Sequence, residues 1–295
     1  MFRNLSMFGL PLSGRPSELI ELALSFGFDS MDMDLIDFKH QSDAFSVTHA
    51  RRLMVSARLS NGVFMLPVAW EADDEIFNRD LETLASQLDV AASADALRAV
   101  ATVSPACNER PFKDNFEFHC GRLETLGNLL ASRSIKLGLA IVPEAEARAN
   151  KQHEFVHSLD KLIALVGSAH QSVGIVVDVW GMHIAGHLAD MISQIPTGRI
   201  VDVRLSDAPQ DVPAETLTHA QRLMPGETGV IDTASILKAL EAVGYDGPVT
   251  PWADRSTLAG RGREKIVKLS GDRLESAWKA ADLPIVERWF APAQK

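Results

Sequence analysis

The sequence has little that could staple it together or tether it from outside. Two of its 295 residues are cysteine, Cys107 and Cys120, thirteen positions apart and without Cys-X-X-Cys or Cys/His spacing around them. That count suggests neither a disulfide framework nor a zinc site, and a reducing compartment fits best. No apolar run approaches the roughly eighteen residues that a membrane span requires. The N-terminal stretch 1–12 is broken by Arg3, Asn4, Ser6 and Gly9 and has no small-residue cleavage site, so it reads as a first strand. A cytoplasmic protein without an anchor is expected. Cationic excess is also missing: 29 lysines and arginines face 39 aspartates and glutamates, a net charge of −10. This opposes the counterion release behind most nucleic-acid affinity, so nucleic acid is not an expected partner. Neither G-x-G-x-x-G nor G-x-x-x-x-G-K-[ST] follows an apolar run, so the usual dinucleotide and nucleotide cradles are lacking.

What is present points to one large α/β domain. With 46% hydrophobic and 23% charged residues, the chain can bury a sizeable core. Short apolar runs begin near Leu5, Phe28, Val63, Leu97, Leu137, Val173, Ile200 and Pro248. Between them lie segments of helical spacing: Leu19/Leu22/Ala23/Phe26, Leu123/Leu126/Leu130, Leu159/Leu162/Ile163/Val166, Leu188/Met191/Ile192/Ile195 and Ile236/Ala239/Leu240/Val243. The runs 173–177 and 200–203 are almost continuously apolar, as parallel strands covered on both faces should be. Eight such units select a closed (β/α)8 TIM barrel over an open doubly wound sheet, with a single domain over 1–295 and no linker. The longest connection, 207–231, carries Pro209, Pro213, Pro225, Gly226 and Gly229, and is a candidate wall or lid.

Seven strings, among them LPVAW at 66–70, NERPFKDNFEFH at 108–119, VGIVVDVWGMHIAG at 173–186, VDVRLSDAP at 201–209 and LMPGETGVID at 223–232, stand in one order and spacing along almost the whole chain. They resemble the xylose isomerase-like sugar-phosphate isomerase/epimerases. The resemblance implies the TIM barrel fold and a divalent cation at its C-terminal mouth. That cation would be held by a glutamate after strand 5, an aspartate after strand 6, a histidine after strand 7 and a glutamate after strand 8. Matched residue by residue, only Asp178 is retained; Ala140, Arg204 and Trp252 stand at the other three positions. The apurinic-site endonucleases of the same superfamily need a larger cluster of metal ligands, which has no counterpart here.

The expectation is therefore a degenerate metal site with no cofactor, in which Arg204 takes over part of the cation's charge and holds Asp178. Asp178 also suits the N-cap of the next helix. His183, placed in the first turn of that helix, is the nominee for proton transfer. Arg222 resembles the family's substrate-contacting arginine. Asp32 is expected to reach a sugar hydroxyl or to pair with Arg3, and Trp70, Trp180 and Trp252 to bring three indoles to one mouth. Glu144, which follows Pro143, is expected to open a loop and face solvent. The leading reading is a sugar isomerase-like barrel that binds a small sugar-like or anionic ligand, or serves a partner protein, with a homo-oligomer left open. The alternative is an active aldose–ketose isomerase or epimerase working through an enediolate, with Mn2+, Mg2+ or Zn2+ on ligands re-sited among Asp32, Glu144, His183 and Asp254.

Overall fold

In the computed structural model, which describes residues 1–285, each of the eight apolar runs lies on or beside a strand. The final ten residues of the expected domain, 286–295, lie outside the described residues. In chain order the strands are β1 (Phe2–Leu5), β2 (Ser30–Met31), β3 (Ser60–Asn61), β4 (Phe64–Met65), β5 (Arg98–Thr102), β6 (Ala106–Cys107), β7 (Lys136–Ala140), β8 (His153–Glu154), β9 (Val173–Asp178), β10 (Ile200–Leu205) and β11 (Pro248–Pro251). β6 and β8 form a small antiparallel ribbon, and the other nine form one sheet in the order β3-β2-β1-β11-β10-β9-β7-β5-β4. Its pairings are all parallel. The two ends of that order, β3 and β4, are parts of one run, 60–65, separated by Gly62 and Val63. Gly62 N–H donates to Met31 O and Met33 N–H to Val63 O, so the run stitches β2 to β5 and closes eight strand positions into a barrel.

The composition of the strands follows from this closure. All six residues of β9 are buried, because one face meets helices and the other the barrel interior. Leu137 and Leu139 pack with the main core, while Ala140, Val63, Val100 and Val176 form a second, smaller cluster. Gly62 is required by closeness: a Cβ there would lie 2.2 Å from Asn4 Oδ1 and 2.5 Å from Asp32 Oδ1.

The helices are α1 (Pro16–Ser25), α2 (Leu35–Ala44), α3 (Val47–Ser56), α4 (Asp74–Ser93), α5 (Phe112–Ala131), α6 (Leu159–Gly167), α7 (Val179–Ile184), α8 (Thr233–Ala242) and α9 (Arg263–Ala280). The spacings read from the sequence fall on α1, α5, α6 and α8. The one read at 188–195 does not give an α-helix but a 3-10 segment, Ala189–Gln194. Gly186, at φ 69°, ends the preceding helix, and Pro196 closes the segment. Among the described residues no helix is long and apolar enough to cross a membrane.

Candidate active-site mouth

Side chains at the C-terminal ends of barrel strands converge, which is where this architecture builds its sites. Asp178, the last residue of β9, caps α7 by accepting from Trp180 N–H at 3.1 Å. Its two oxygens also receive both ends of one guanidinium: Arg222 Nη1 donates to Oδ2 at 2.9 Å and Nη2 to Oδ1 at 2.6 Å. Arg222 Nε donates to Ser206 Oγ at 2.6 Å, and Ser206 Oγ donates to Trp252 O at 2.8 Å. Burial lowers the pKa of Arg222, and Asp178 opposes that shift through a fork-to-fork pair.

The partner expected for Asp178 was Arg204. The two are register neighbours across β9 and β10, but Arg204 leans the other way. Its guanidinium carbon lies 3.9 Å from the centroid of the Trp252 ring, and its Nε approaches Asp202 Oδ2 at 3.4 Å. Arg222, delivered by the 207–231 segment, takes the carboxylate instead. That segment is anchored as a strap. Asp207 is fully buried and accepts from Ala208 N–H, Thr228 N–H, Gly229 N–H and Ile231 N–H at 2.7–2.9 Å.

Glu144 corrects a second expectation. It is 3% exposed, not a solvent-facing loop residue. Its Oε1 accepts from Trp180 Nε1 at 2.8 Å and lies 3.4 Å from His219 Nδ1. Burial opposes its charge, yet the hydrogen bonds from His219, its own N–H and Trp180 prevail and hold the carboxyl below its usual range. His219 Nε2 in turn lies 3.7 Å from Asp254 Oδ2, so one half-exposed imidazole bridges the loops after β7 and β11. Sequence reasoning missed His219, because nothing around it except its place in the strap marks it.

Behind the mouth, a hydrogen-bonded network crosses the barrel interior. Ser30 Oγ donates to Asn4 Oδ1 at 2.8 Å, and Asn4 Nδ2 donates to Asp32 Oδ1 at 2.7 Å and to Thr250 Oγ1 at 3.0 Å. Thr250 Oγ1 reaches Asp202 Oδ1 at 3.3 Å. Asp32 does not pair with Arg3, whose Nε goes to Asp29 Oδ2 at 3.1 Å. It is 2% exposed, and its Oδ2 has no hydrogen-bond partner. Burial first, and the neighbouring Asp202 second, push its carboxyl up to about 7 against hydrogen bonds from Ser6, Val63 and Asn4.

A carboxyl with a raised folded-state pKa binds its proton more tightly when folded. Its contribution to stability is complete below about pH 4 and is lost as pH rises through 7. Asp32→Asn keeps the Oδ1 acceptor and removes the charge. The variant should gain on the order of 4 kcal/mol relative to wild type at pH 8, and little or nothing at pH 4. Urea unfolding at both pH values checks this; equal differences at the two would refute a proton on Asp32.

The remaining candidates are dispersed. His183 sits in the last turn of α7, not the first, and lines a separate cavity with His187, Asp190, Val230 and Asp232. Burial lowers its pKa. Trp70 is buried away from Asp178, donating Nε1 to Thr102 O at 3.2 Å and standing edge-on to His119. Trp180 is fully buried, with no face for a ligand. Of the three indoles only Trp252 borders open space, a cleft of ≈ 360 Å³ shared with His219, Asp254, Arg255 and the loop 7–13. Ala140 and Trp252 occupy the strand ends beside Asp178 and Arg204. Among the described residues no group of three or more His, Cys, Asp or Glu side chains is placed to hold a metal ion.

A family model described as "Xylose isomerase-like TIM barrel" matches residues 20–274. Among solved structures, a xylose isomerase domain protein from Alicyclobacillus acidocaldarius superposes with a TM-score of 0.85 at 22% identity, over 96% of this chain and 99% of that one. A D-psicose 3-epimerase with D-tagatose, from Clostridium cellulolyticum H10, gives 0.74 at 13% identity, over 95% and 99%. A protein described as IOLI, with a binding zinc atom, gives 0.73 at 16% identity, over 96% and 98%. A search of curated proteins found no match.

Proposed function

This chain belongs to the xylose isomerase-like TIM barrel family, and we propose that its mouth binds a small sugar-like or anionic ligand without metal-dependent catalysis. The observation that carries the reading is the bidentate pair of Arg222 with Asp178, the one family ligand retained. A hard divalent cation needs several oxygen ligands converging on it. Here the carboxylate is already paired with Arg222, and Ala140, Arg204 and Trp252 stand at the other three positions that the family resemblance assigns to ligands. The residues present do not fit a resident divalent ion.

Isomerisation or epimerisation beside a carbonyl requires a group to polarise the oxygen and a base to move the carbon-bound proton. The two glutamates that the family resemblance would supply are Ala140 and Trp252 in this chain. Glu144 is committed to Trp180 and lies against His219, and His183 lies in another cavity. What the mouth offers is recognition: buried guanidinium donors, an indole beside an open cleft, and a strap that carries Arg222. Support for a sugar-like ligand comes from the D-tagatose named with one structural neighbour. A cytoplasmic location belongs to the same reading.

Calorimetric titration of metal-stripped protein with Mn2+ tests it, with Asp178→Asn as the control. The expected result is no binding up to millimolar Mn2+. Micromolar, stoichiometric binding that disappears in Asp178→Asn would overturn the reading. A re-sited metal centre, and EDTA-sensitive isomerisation of a ketose, would then take its place.

A further inference from the structure

We propose that Arg204 is the anchor for a carboxylate group on the ligand of this mouth, which makes a sugar acid, not a neutral sugar, the class of molecule bound. The inference rests on the metal-free binding reading above and deepens it.

Three observations lead there. First, the two buried guanidiniums at the mouth are unequally satisfied. Arg222 has all three nitrogens engaged, two on Asp178 and one on Ser206. Arg204 has one contact, Nε to Asp202 at the long distance of 3.4 Å, and its Nη1 and Nη2 have no hydrogen-bond partner among the described residues. Second, its side chain is only 8% exposed, yet neither nitrogen is among the sealed orphan atoms, so both border accessible space. Donors at the edge of open space are met by water until a ligand of matching geometry displaces it. Third, the guanidinium is held flat. It lies against the Trp252 ring, which Gly9 also abuts, a Cβ there coming within 2.5 Å of Trp252 Cε3, and which the Arg222 guanidinium carbon approaches at 5.6 Å. Stacking fixes the plane and leaves the Nη1–Nη2 edge presented as a two-toothed fork.

That edge matches two coplanar oxygens about as far apart as its own nitrogens, the geometry of a carboxylate. A phosphate dianion would call for further donors, such as a lysine or a free helix N-terminus. The start of α7, at the end of the neighbouring strand β9, is already capped by Asp178.

The test titrates acetate, D-gluconate, D-glucose and inorganic phosphate into wild type, Arg204→Lys and the charge-balanced pair Asp202→Asn/Arg204→Gln, with circular dichroism to confirm folding. Calorimetry and intrinsic tryptophan fluorescence are the readouts. D-gluconate should bind at least about tenfold more tightly than D-glucose, and acetate should compete with it. Arg204→Lys keeps the charge and loses the fork, so about tenfold of the D-gluconate affinity should go; the double variant should lose the preference altogether. Equal affinity for D-glucose and D-gluconate would overturn the proposal and leave metal-free sugar binding standing. So would D-gluconate binding unchanged in both variants, phosphate binding without carboxylate binding, or no binding of either acid at 50 mM. The Mn2+ titration is independent of these arms, so the two readings fail separately.

Discussion

Arg222→Met should cost on the order of 3–5 kcal/mol of folding stability. Both members of the pair are sealed, with side-chain exposures of 3% for Arg222 and 4% for Asp178. Removing the guanidinium leaves an ionised carboxylate without its compensating charge and Ser206 Oγ without a donor. Attraction within the intact pair mostly offsets the desolvation of the two charges, so the cost arises from the stranded partner. The control follows directly. Asp178→Asn/Arg222→Met has no uncompensated charge and should recover at least half of the loss, a non-additivity that a double-mutant cycle measures as coupling. Urea unfolding followed by far-ultraviolet circular dichroism gives both numbers. A single-variant loss below about 1 kcal/mol would mean that water reaches Asp178. The pair would then be no seal at the end of β9.

Asp207→Ala should release the strap. Four backbone N–H groups, those of Ala208, Thr228, Gly229 and Ile231, converge on this one fully buried carboxylate. Each would lose its acceptor, and the antiparallel bridge between Asp207 and Leu223 would lose its support. Orphaned donors cost about 1–3 kcal/mol apiece, more than a surface segment can bear while remaining docked. Local opening is therefore cheaper than strain. The expected result is amide exchange across 208–231 accelerated by at least about a hundredfold, with a global loss of about 2–4 kcal/mol. His219 rides on the strap and lines the cleft beside Trp252, so ligand affinity should fall with it. Asp207→Asn keeps one acceptor oxygen and should be milder on both readouts. Unchanged exchange in Asp207→Ala would show that the strap is held from elsewhere.

The barrel was legible because its strands are covered on both faces, which forces apolar runs that a reader can count. The runs beginning at Val173 and Ile200 became β9 and β10. The site was legible only where identity sufficed. Asp178 and Arg222 stand out as residues, but their mutual pairing spans 44 positions and leaves no local trace. The resemblance put Arg204 at a neighbouring ligand position and so suggested it instead; the two are indeed register neighbours, but adjacency says nothing of which guanidinium arrives with its fork aligned. Glu144 misled for a similar reason. A carboxylate after Pro143 reads as a loop start, and its burial is decided by Trp180, 36 residues on. His219 carries no local signal at all; its place between Glu144 and Asp254 is set by how the strap folds across the mouth.

The seam at 60–65 has a consequence for how this protein could go wrong. An open sheet always offers a first and a last strand as templates for another chain. Here those two strands are successive pieces of one short run, joined through Gly62, so the ring presents no vacant backbone edge. Damage at that point would not fray one edge gradually. It would unzip two at once, on β2 and on β5, and turn a local packing fault into an invitation to strand exchange between molecules.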